Sequence, residues 1–281
     1  KTKPSNIQSK GSKCSTPAEI QCIHFRFGAT FLRLVVEKFH SNQTEVTFKS
    51  KGNPVTNVDH QAEELAICLL REEFPDFSYL GEESSKGQIL TENPTWIIDP
   101  IDGTRNFVAG IPFFSIVIGL AIGGKIILGI NYDPIRKEMF WGVKGKGAFL
   151  GQDQVSVSTK TSLDSCLIGF DLSYSDNGAL NSLKVIESIW PDMQTARIMG
   201  SSALGISYVA AGRLDLYFHH KLSPWDIAAG ILLVDEAGGV ISDRHGKSAD
   251  LYSDGIVASN SILHKKFLES TANLEWGHKN I

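Results

Sequence analysis

Apolar residues recur every three or four positions in two early stretches of the chain, a spacing that places them on one face of an α-helix. The first predicted helix covers residues 16–40, and the second begins after Asp59. Its apolar stripe consists of Ala62, Leu65, Ala66, Leu69 and Leu70. Between these helices, residues 46–48 are predicted to be extended and residues 49–53 to form a Lys- and Gly-rich loop.

Short apolar runs then predict an antiparallel meander. Its strands are residues 95–98, 115–122, 125–132 and 138–143. The first strand is predicted to stop at Pro100, because a proline disfavours continued regular structure at the residue before it. The second and third strands flank Gly123-Gly124, a dipeptide typical of hairpin turns that need positive φ.

Strand and helix patterns alternate in the second half of the chain. The predicted strands are residues 167–172, 195–199, 214–218, 240–242 and 255–258. The predicted helices are residues 179–189, 201–211, 225–237 and 263–270. This alternation favours layers of helix and sheet.

Composition narrows the class of protein. The chain has 281 residues and a net charge of −4, with scattered Lys and Arg, which gives no electrostatic basis for binding nucleic acid or an anionic membrane. Its four cysteines are dispersed, which favours a reduced, intracellular protein. No apolar run reaches the roughly 18 residues that span a bilayer. We therefore expect a cytoplasmic protein; an organelle stays open because the chain starts at Lys1, so its beginning could have been trimmed.

Three acidic clusters lie where the predicted secondary structure changes. They are Gly81-Glu82-Glu83-Ser84, the segment 99–104 (DPIDGT) and Trp225-Asp226. In the second cluster, Asp99 and Asp102 are close enough for their like charges to repel unless a cation shares them. Oxygen ligands of this kind suit Mg²⁺. Gly103 and Thr104 would offer free backbone N–H groups to a phosphate.

Each cluster alone has a second interpretation. Asp-Pro-x-Asp-Gly is common in surface turns, and Gly-Glu-Glu-Ser in solvated loops. Asp226 suits the first turn of a helix, where the dipole favours an acid. Asp59 suits a helix N-cap.

Four motifs, taken in their order along the chain, give a more specific indication than any one of them alone. They are Val55-Thr56-Asn57-Val58-Asp59, then Gly81-Glu82-Glu83-Ser84, then 96–104 (WIIDPIDGT), then Trp225-Asp226 with Ala228-Ala229-Gly230. This set resembles the signature of the inositol monophosphatase family. The segments 145–149 (GKGAF) and 236–239 (EAGG) extend the resemblance, which covers about residues 20–270.

The resemblance implies the layered α-β-α-β-α sandwich of the Mg²⁺-dependent, Li⁺-sensitive sugar phosphatase superfamily. Residues 16–152 are expected to be an N-terminal α+β half with most metal ligands. Residues 1–15, which begin with a Lys- and Ser-rich stretch, are expected to be a flexible tail. Residues 153–281 would form a C-terminal α/β half that holds Asp226 and the substrate wall.

The resemblance also implies two or three Mg²⁺ ions. Glu82, Asp99 and the backbone carbonyl of Ile101 would hold the first ion. Asp99, Asp102 and Asp226 would hold the second. Glu82 would help to place a third, more weakly bound ion through water.

The catalytic roles follow from the same resemblance. Thr104, paired with Asp59, would orient and help to deprotonate a metal-activated water, with Glu82 beside it. The N–H groups of Gly103 and Thr104 would receive the phosphate. The reaction would be hydrolysis of a small phosphate monoester.

The substrate is less sharply defined than the metal site. In animal relatives an acidic residue seven positions before the metal Asp of the WD motif binds inositol hydroxyls, whereas this chain has His219 there. Ser201 and Ser202, at a predicted helix start, are further candidates for the substrate wall. Inositol 1-phosphate is the expected substrate. Fructose 1,6-bisphosphate, 3′-phosphoadenosine 5′-phosphate and histidinol phosphate stay open, as does a non-catalytic, metal-binding regulatory protein.

The resemblance implies a homodimer inhibited by Li⁺, with a small phosphorylated polyol or sugar as its partner and neither nucleic acid nor membrane. A monomer in a size measurement would refute the dimer. Full activity in millimolar Li⁺ would refute the inhibition.

Overall fold

The computed structural model describes residues 33–41, 44–85, 90, 92–274 and 276. Its helices, in chain order, are α1 (33–41), α2 (Asn57–Glu73), α3 (Thr104–Val108), α4 (Asp176–Ile189), α5 (Ser202–Ala210), α6 (Pro224–Glu236) and α7 (Ser261–Thr271). The predicted tail and most of the first predicted helix lie outside the described residues.

Seven strands form the first sheet, in the order β3-β4-β5-β6-β7-β8-β9. These strands are β3 (Ser78–Gly81), β4 (Thr95–Asp102), β5 (Ser115–Ile122), β6 (Lys125–Asp133), β7 (Glu138–Val143), β8 (Gly147–Leu150) and β9 (Asp153–Val155). Strand β3 pairs in parallel with β4, and the remaining neighbours are antiparallel. A separate hairpin of β1 (Val46–Ser50) and β2 (Asn53–Thr56) precedes α2.

The prediction that a strand stops at Pro100 was wrong, because β4 continues to Asp102 with all eight of its residues buried. Strands β2, β3, β8 and β9 were not predicted. They are only three or four residues long, which is too short for a clear apolar pattern.

Five strands form the second sheet, in the order β11-β10-β12-β14-β13. They are β10 (Leu167–Asp171), β11 (Thr195–Ile198), β12 (Leu216–His219), β13 (Val240–Ser242) and β14 (Ile256–Ser259). Strand β10 runs parallel to both β11 and β12, whereas β14 is antiparallel to β12 and β13.

The elements stack in five layers, which confirms the predicted α-β-α-β-α sandwich. Helix α2 packs on the outer face of the first sheet, around a core that includes Val58, Ala62 and Trp96. Helices α5 and α6 lie between the sheets, since α6 contacts β4 to β8 and α5 contacts strands of both sheets. Helices α4 and α7 cover the outer face of the second sheet.

Two glycines of the first sheet let helix α6 approach it closely. A Cβ added at Gly119 would lie 2.9 Å from Cβ of Ala228, and one at Gly129 would lie 2.7 Å from Cα of Ala229. Side chains larger than hydrogen would push the helix away from the strands. Because Asp226 lies in the first turn of α6, this close packing also sets its distance from the end of β4.

The predicted boundary at residue 152 lies just before β9, which still belongs to the first sheet. The division into two halves stays a prediction. None of the helices in the described ranges combines the length and apolar character that crossing a membrane requires.

We predict that Gly129→Ala destabilises the protein by about 1–3 kcal/mol, because the new methyl group overpacks the contact with α6. Denaturant unfolding would measure the change. Lys125→Ala, at the exposed start of the same strand, is the control and should change the free energy of unfolding by less than about 0.5 kcal/mol. Equal effects of both substitutions would contradict this account of the packing.

Candidate active site

A β-bulge at the end of β4 brings Asp99 and Asp102 to the same side of the sheet. Successive residues of a regular strand point to opposite faces, so two residues three positions apart would diverge. Asp99 pairs with Val117 of β5 and Asp102 pairs with Ser115, so β4 has one residue more than its partner over this stretch. Proline is tolerated at a bulge because the regular ladder is interrupted there. The strand can therefore pass through Pro100.

Asp102 is fastened to the start of α5. Its Oδ1 accepts hydrogen bonds from the backbone N–H (3.2 Å) and the hydroxyl (2.9 Å) of Ser202. Its Oδ2 accepts hydrogen bonds from the Ser201 hydroxyl and from the Ala203 N–H, the latter at 3.1 Å. Both serine hydroxyls that the sequence assigns to the substrate wall thus bind Asp102. Ser202, unlike Ser201, also lines the cavity described below.

Asp226 is oriented by its own helix. It is the third residue of α6, and its Oδ2 accepts the N–H of the N-cap residue Ser223 at 2.7 Å in a capping box. One carboxylate oxygen from each of Asp99, Asp102 and Asp226 lies within 4.8 Å of the others. The fold therefore brings together three acidic residues from two distant segments of the chain.

This carboxylate cluster has the chemistry of a divalent-cation site. Burial raises the pKa of Asp99 well above its usual value, and the nearby charges of Glu82, Asp102 and Asp226 raise it further. Burial also raises the pKa of Asp226 well above its usual value. Buried carboxylates at this spacing remain ionised only when positive charge compensates them, and an oxygen-only donor set suits a hard cation. The residues present fit a divalent metal.

Thr104 and Asp59 form a pair beside the cluster. The hydroxyl of Thr104 lies 3.3 Å from Oδ1 of Asp59 and 3.0 Å from the carbonyl oxygen of Ile101. Oδ2 of Asp59 accepts the N–H of Thr56 at 2.9 Å, and the Thr56 hydroxyl caps α2 in return. Burial raises the pKa of Asp59 to about 6. Asp59 is therefore the third residue of α2 and not its N-cap, and one of its oxygens is turned towards Thr104.

Glu82 lies outside the group of three carboxylates. Its carboxylate binds Nζ of Lys49 at 2.8 Å, and the same Nζ binds Glu83 at 2.6 Å. The turn that carries Glu82 is held by Glu63, a buried residue of α2 that sequence reasoning missed. Glu63 accepts the backbone N–H groups of Glu83 and Ser84 at 2.8 and 2.9 Å.

Gly103 separates β4 from α3. It has a φ of +94° and serves as the N-cap of α3, which begins at Thr104. A Cβ at this position would lie 2.8 Å from the carbonyl oxygen of Gly200, so both the backbone angle and the space require glycine. The first-turn N–H groups of a helix have no partner within the helix.

A cavity of about 600 Å³ lies over the carboxylate cluster. Its acidic floor contains Glu82 and the three clustered aspartates, with Gly103 and Thr104 beside them. Its other walls contain His219, whose contact with the substrate stays a prediction, and residues that the sequence did not single out. The latter include Asp171, Tyr174 and Lys221.

At the rim of the cavity, residues from the first part of the chain contact residues from the second part. The guanidinium carbon of Arg105 lies 4.2 Å from the ring centroid of Tyr174, and its Nε donates to the carbonyl oxygen of Gly52 at 2.7 Å. Lys51 forms an exposed ion pair with Asp176 at 3.2 Å. Arg105 is thus a structural link at the rim.

Comparisons with known proteins show the family to which this chain belongs. The model of the inositol monophosphatase family matches residues 17–276. Inositol monophosphatase 1 of Solanum lycopersicum is 37% identical over 243 residues, which cover 84% of this chain and 89% of that protein. The fructose-1,6-bisphosphatase/inositol-1-monophosphatase of Thermotoga maritima is 38% identical over 217 residues, or 76% of this chain and 81% of that protein.

A solved structure extends the similarity to the fold. The extragenic suppressor protein suhB from Bartonella henselae matches with a TM-score of 0.84 and 32% sequence identity. The match covers 93% of this chain and 99% of that one.

We predict that Asp99→Asn stabilises the metal-free protein, and more so at higher pH. The folded-state pKa of Asp99 lies above its ordinary value of 3.8, so the wild type loses stability as the pH rises above that value. An asparagine carries no charge to bury. Denaturant unfolding in EDTA should show a larger advantage of the variant at about pH 7.5 than at about pH 5, on the order of 1–3 kcal/mol.

Asp153→Asn, on the exposed strand β9, is the matched control and should show no such pH-dependent gain. Added Mg²⁺ should stabilise the wild type and not Asp99→Asn. An advantage of Asp99→Asn that is the same at both pH values would contradict the proposed charge burial.

Proposed function

Because the chain belongs to the inositol monophosphatase family, whose members are phosphoric monoester hydrolases, we propose that it hydrolyses inositol 1-phosphate to inositol and phosphate with Mg²⁺. The observation that carries this proposal is the cluster of Asp99, Asp102 and Asp226 within 4.8 Å, in a cavity that is also lined by Thr104, whose hydroxyl lies beside Asp59. Phosphoryl transfer needs mainly positioning and charge neutralisation, and divalent cations held by these carboxylates would supply the latter.

In this proposal the carboxylates hold two or three Mg²⁺ ions. Asp99 would be a ligand of two of these ions. Glu82 and the carbonyl of Ile101 would complete the ligands of one ion, and Asp102 and Asp226 those of the other. Bound Mg²⁺ neutralises the charge of the phosphate and lowers the pKa of the attacking water. Glu82 would exchange its Lys49 contact for the metal, since both are cations.

The Thr104–Asp59 pair would orient the attacking water. When the Thr104 hydroxyl donates to Asp59, its oxygen is left as an acceptor for a water proton. The raised pKa of Asp59, about 6, makes this carboxylate a better proton acceptor than an exposed aspartate while leaving it mostly ionised at neutral pH. The first-turn N–H groups at Gly103 and Thr104 would bind the phosphate oxygens.

Inositol phosphate is supported as substrate by the names of relatives such as the one from Solanum lycopersicum. A bisphosphate of a sugar is the second candidate. The printed name of the Thermotoga maritima relative includes fructose-1,6-bisphosphatase. Besides Lys49, which binds Glu82, the basic residues Arg105 and Lys221 line the cavity and could meet a second phosphate. Inhibition by Li⁺, a homodimer and a cytoplasmic location stay predictions.

The first experiment is phosphate release from the purified protein with and without Mg²⁺. The substrates are inositol 1-phosphate, fructose 1,6-bisphosphate, 3′-phosphoadenosine 5′-phosphate and histidinol phosphate. We expect Mg²⁺-dependent turnover with inositol 1-phosphate preferred. Asp99→Asn should lower kcat by at least about 100-fold, because charge neutralisation at the phosphate is lost.

Asp153→Asn serves again as the matched control and should keep full activity. A preference for fructose 1,6-bisphosphate would favour the second candidate. A folded, Mg²⁺-binding protein that is silent on all four substrates would favour a non-catalytic, metal-binding role.

A further inference from the structure

The cavity wall that faces away from the first sheet contains the carboxylate of Asp171, which lies outside the cluster of three aspartates. Asp171 ends strand β10, and in the parallel pairing with β12 it lies beside His219. Both residues line the cavity that contains the three clustered aspartates. Asp171 is buried, since only 7% of its surface is exposed.

Two hydrogen bonds hold the Asp171 carboxylate in place. Its Oδ1 accepts the backbone N–H of Gly200 at 2.5 Å, and its Oδ2 accepts the hydroxyl of Tyr217 at 2.7 Å. Burial raises the pKa of the Asp171 carboxyl group to about 7, so it is ionised above that pH. An ionised carboxylate has about four lone-pair positions, so two acceptor positions remain. A fixed orientation means that little entropy is lost when a ligand hydroxyl binds there.

The neighbouring His219 is a hydrogen-bond donor, whereas Asp171 is an acceptor. Nδ1 of His219 accepts the N–H of Lys221 at 3.1 Å. Burial lowers the pKa of this imidazole to about 3, so the ring is neutral and its proton lies on Nε2. His219 can therefore offer only an N–H donor to a ligand, and a polyol hydroxyl that must donate its own proton needs another acceptor.

We propose that Asp171 determines specificity by accepting a hydrogen bond from a hydroxyl of the substrate ring. This inference rests on the proposed function, since it assigns the residue that recognises the polyol part of the same substrate. Asp171 and His219 form a complementary acceptor and donor on adjacent strands. A ring that carries neighbouring hydroxyls satisfies both groups, because each hydroxyl can donate and accept.

A substrate without hydroxyls gains nothing from this pair. Cyclohexyl phosphate has the same ring size and the same phosphate ester as inositol 1-phosphate but no further oxygen. The wild type should therefore prefer inositol 1-phosphate in kcat/KM, and the ratio of the two values isolates recognition of the hydroxyls from the chemistry at phosphorus.

The test compares both substrates in the wild type and in Asp171→Asn at about pH 8, where the Asp171 carboxylate is ionised. Asparagine keeps an oxygen for the Gly200 N–H and can donate to the Tyr217 hydroxyl, but it loses the charged acceptor. We expect kcat/KM for inositol 1-phosphate to fall about 10- to 100-fold, mainly through KM, the size expected for one hydrogen bond to a charged group. Cyclohexyl phosphate should change less than about threefold.

Two further variants separate recognition from structure. Tyr217→Phe removes a partner of Asp171 but keeps the carboxylate, so the ratio between the substrates should stay close to that of the wild type. Asp171→Ser gives a second loss of the carboxylate if Asp171→Asn does not fold, with the same expected fall in the ratio. Thermal unfolding with Mg²⁺ would check that each variant is folded.

The outcomes are distinguishable. Equal losses on both substrates in the Asp171 variants would show that Asp171 only positions Gly200 and the start of α5, and would overturn the inference while the proposed function stands. An unchanged ratio in a folded Asp171 variant would overturn it as well. A wild type that hydrolyses neither substrate would overturn the proposed function, and this inference with it.

Discussion

Electrostatic repulsion among Asp99, Asp102 and Asp226 is the constraint around which the centre of the molecule is arranged. Three structural features hold these carboxylates close together in spite of that repulsion. A bulge fixes Asp99 and Asp102 in β4, a capping box fixes Asp226 in α6, and four hydrogen bonds from the start of α5 fix Asp102. Such a cluster is costly in the metal-free protein and favourable once cations are bound. Stability and function are therefore opposed at this one place.

The contacts that position the site also connect the layers of the fold. Helix α6 can carry Asp226 to the end of β4 only because Gly119 and Gly129 allow it to lie directly on the first sheet. Asp102 in turn connects that sheet to the helix layer, and Asp171 connects the second sheet to the same helix start through Gly200. The site thus lies where the two sheets and the helix layer between them meet. Its residues are distant in sequence because they come from different layers.

Much of this could be predicted from the sequence. The layered fold followed from the alternation of helix and strand patterns and from the resemblance of the motifs, and the acidic residues that meet were all singled out. The remainder depended on tertiary pairing. Pro100 predicts the end of a strand in a regular sheet, and only the register with β5 reveals the bulge. The Asp171 carboxylate, the Glu63 anchor and the Lys49 contact carry no local signal, because each depends on a partner brought close by the fold.

The bulge has a consequence for how this segment tolerates change in length. Substitutions at Pro100 or Ile101 alter side chains but leave the count of residues between the two aspartates intact. Removing either residue would let β4 pair with β5 without interruption, and the two-residue period of a strand would then govern the segment. Asp99 would still lie opposite Val117 and Asp102 opposite Ser115, so both aspartates would keep the same face of the sheet. The extra residue would be lost, and with it the present position of the Ile101 carbonyl that accepts the Thr104 hydroxyl. The length of this segment is therefore required for the backbone oxygen beside the carboxylates, whereas the face of the aspartates follows from the register with β5.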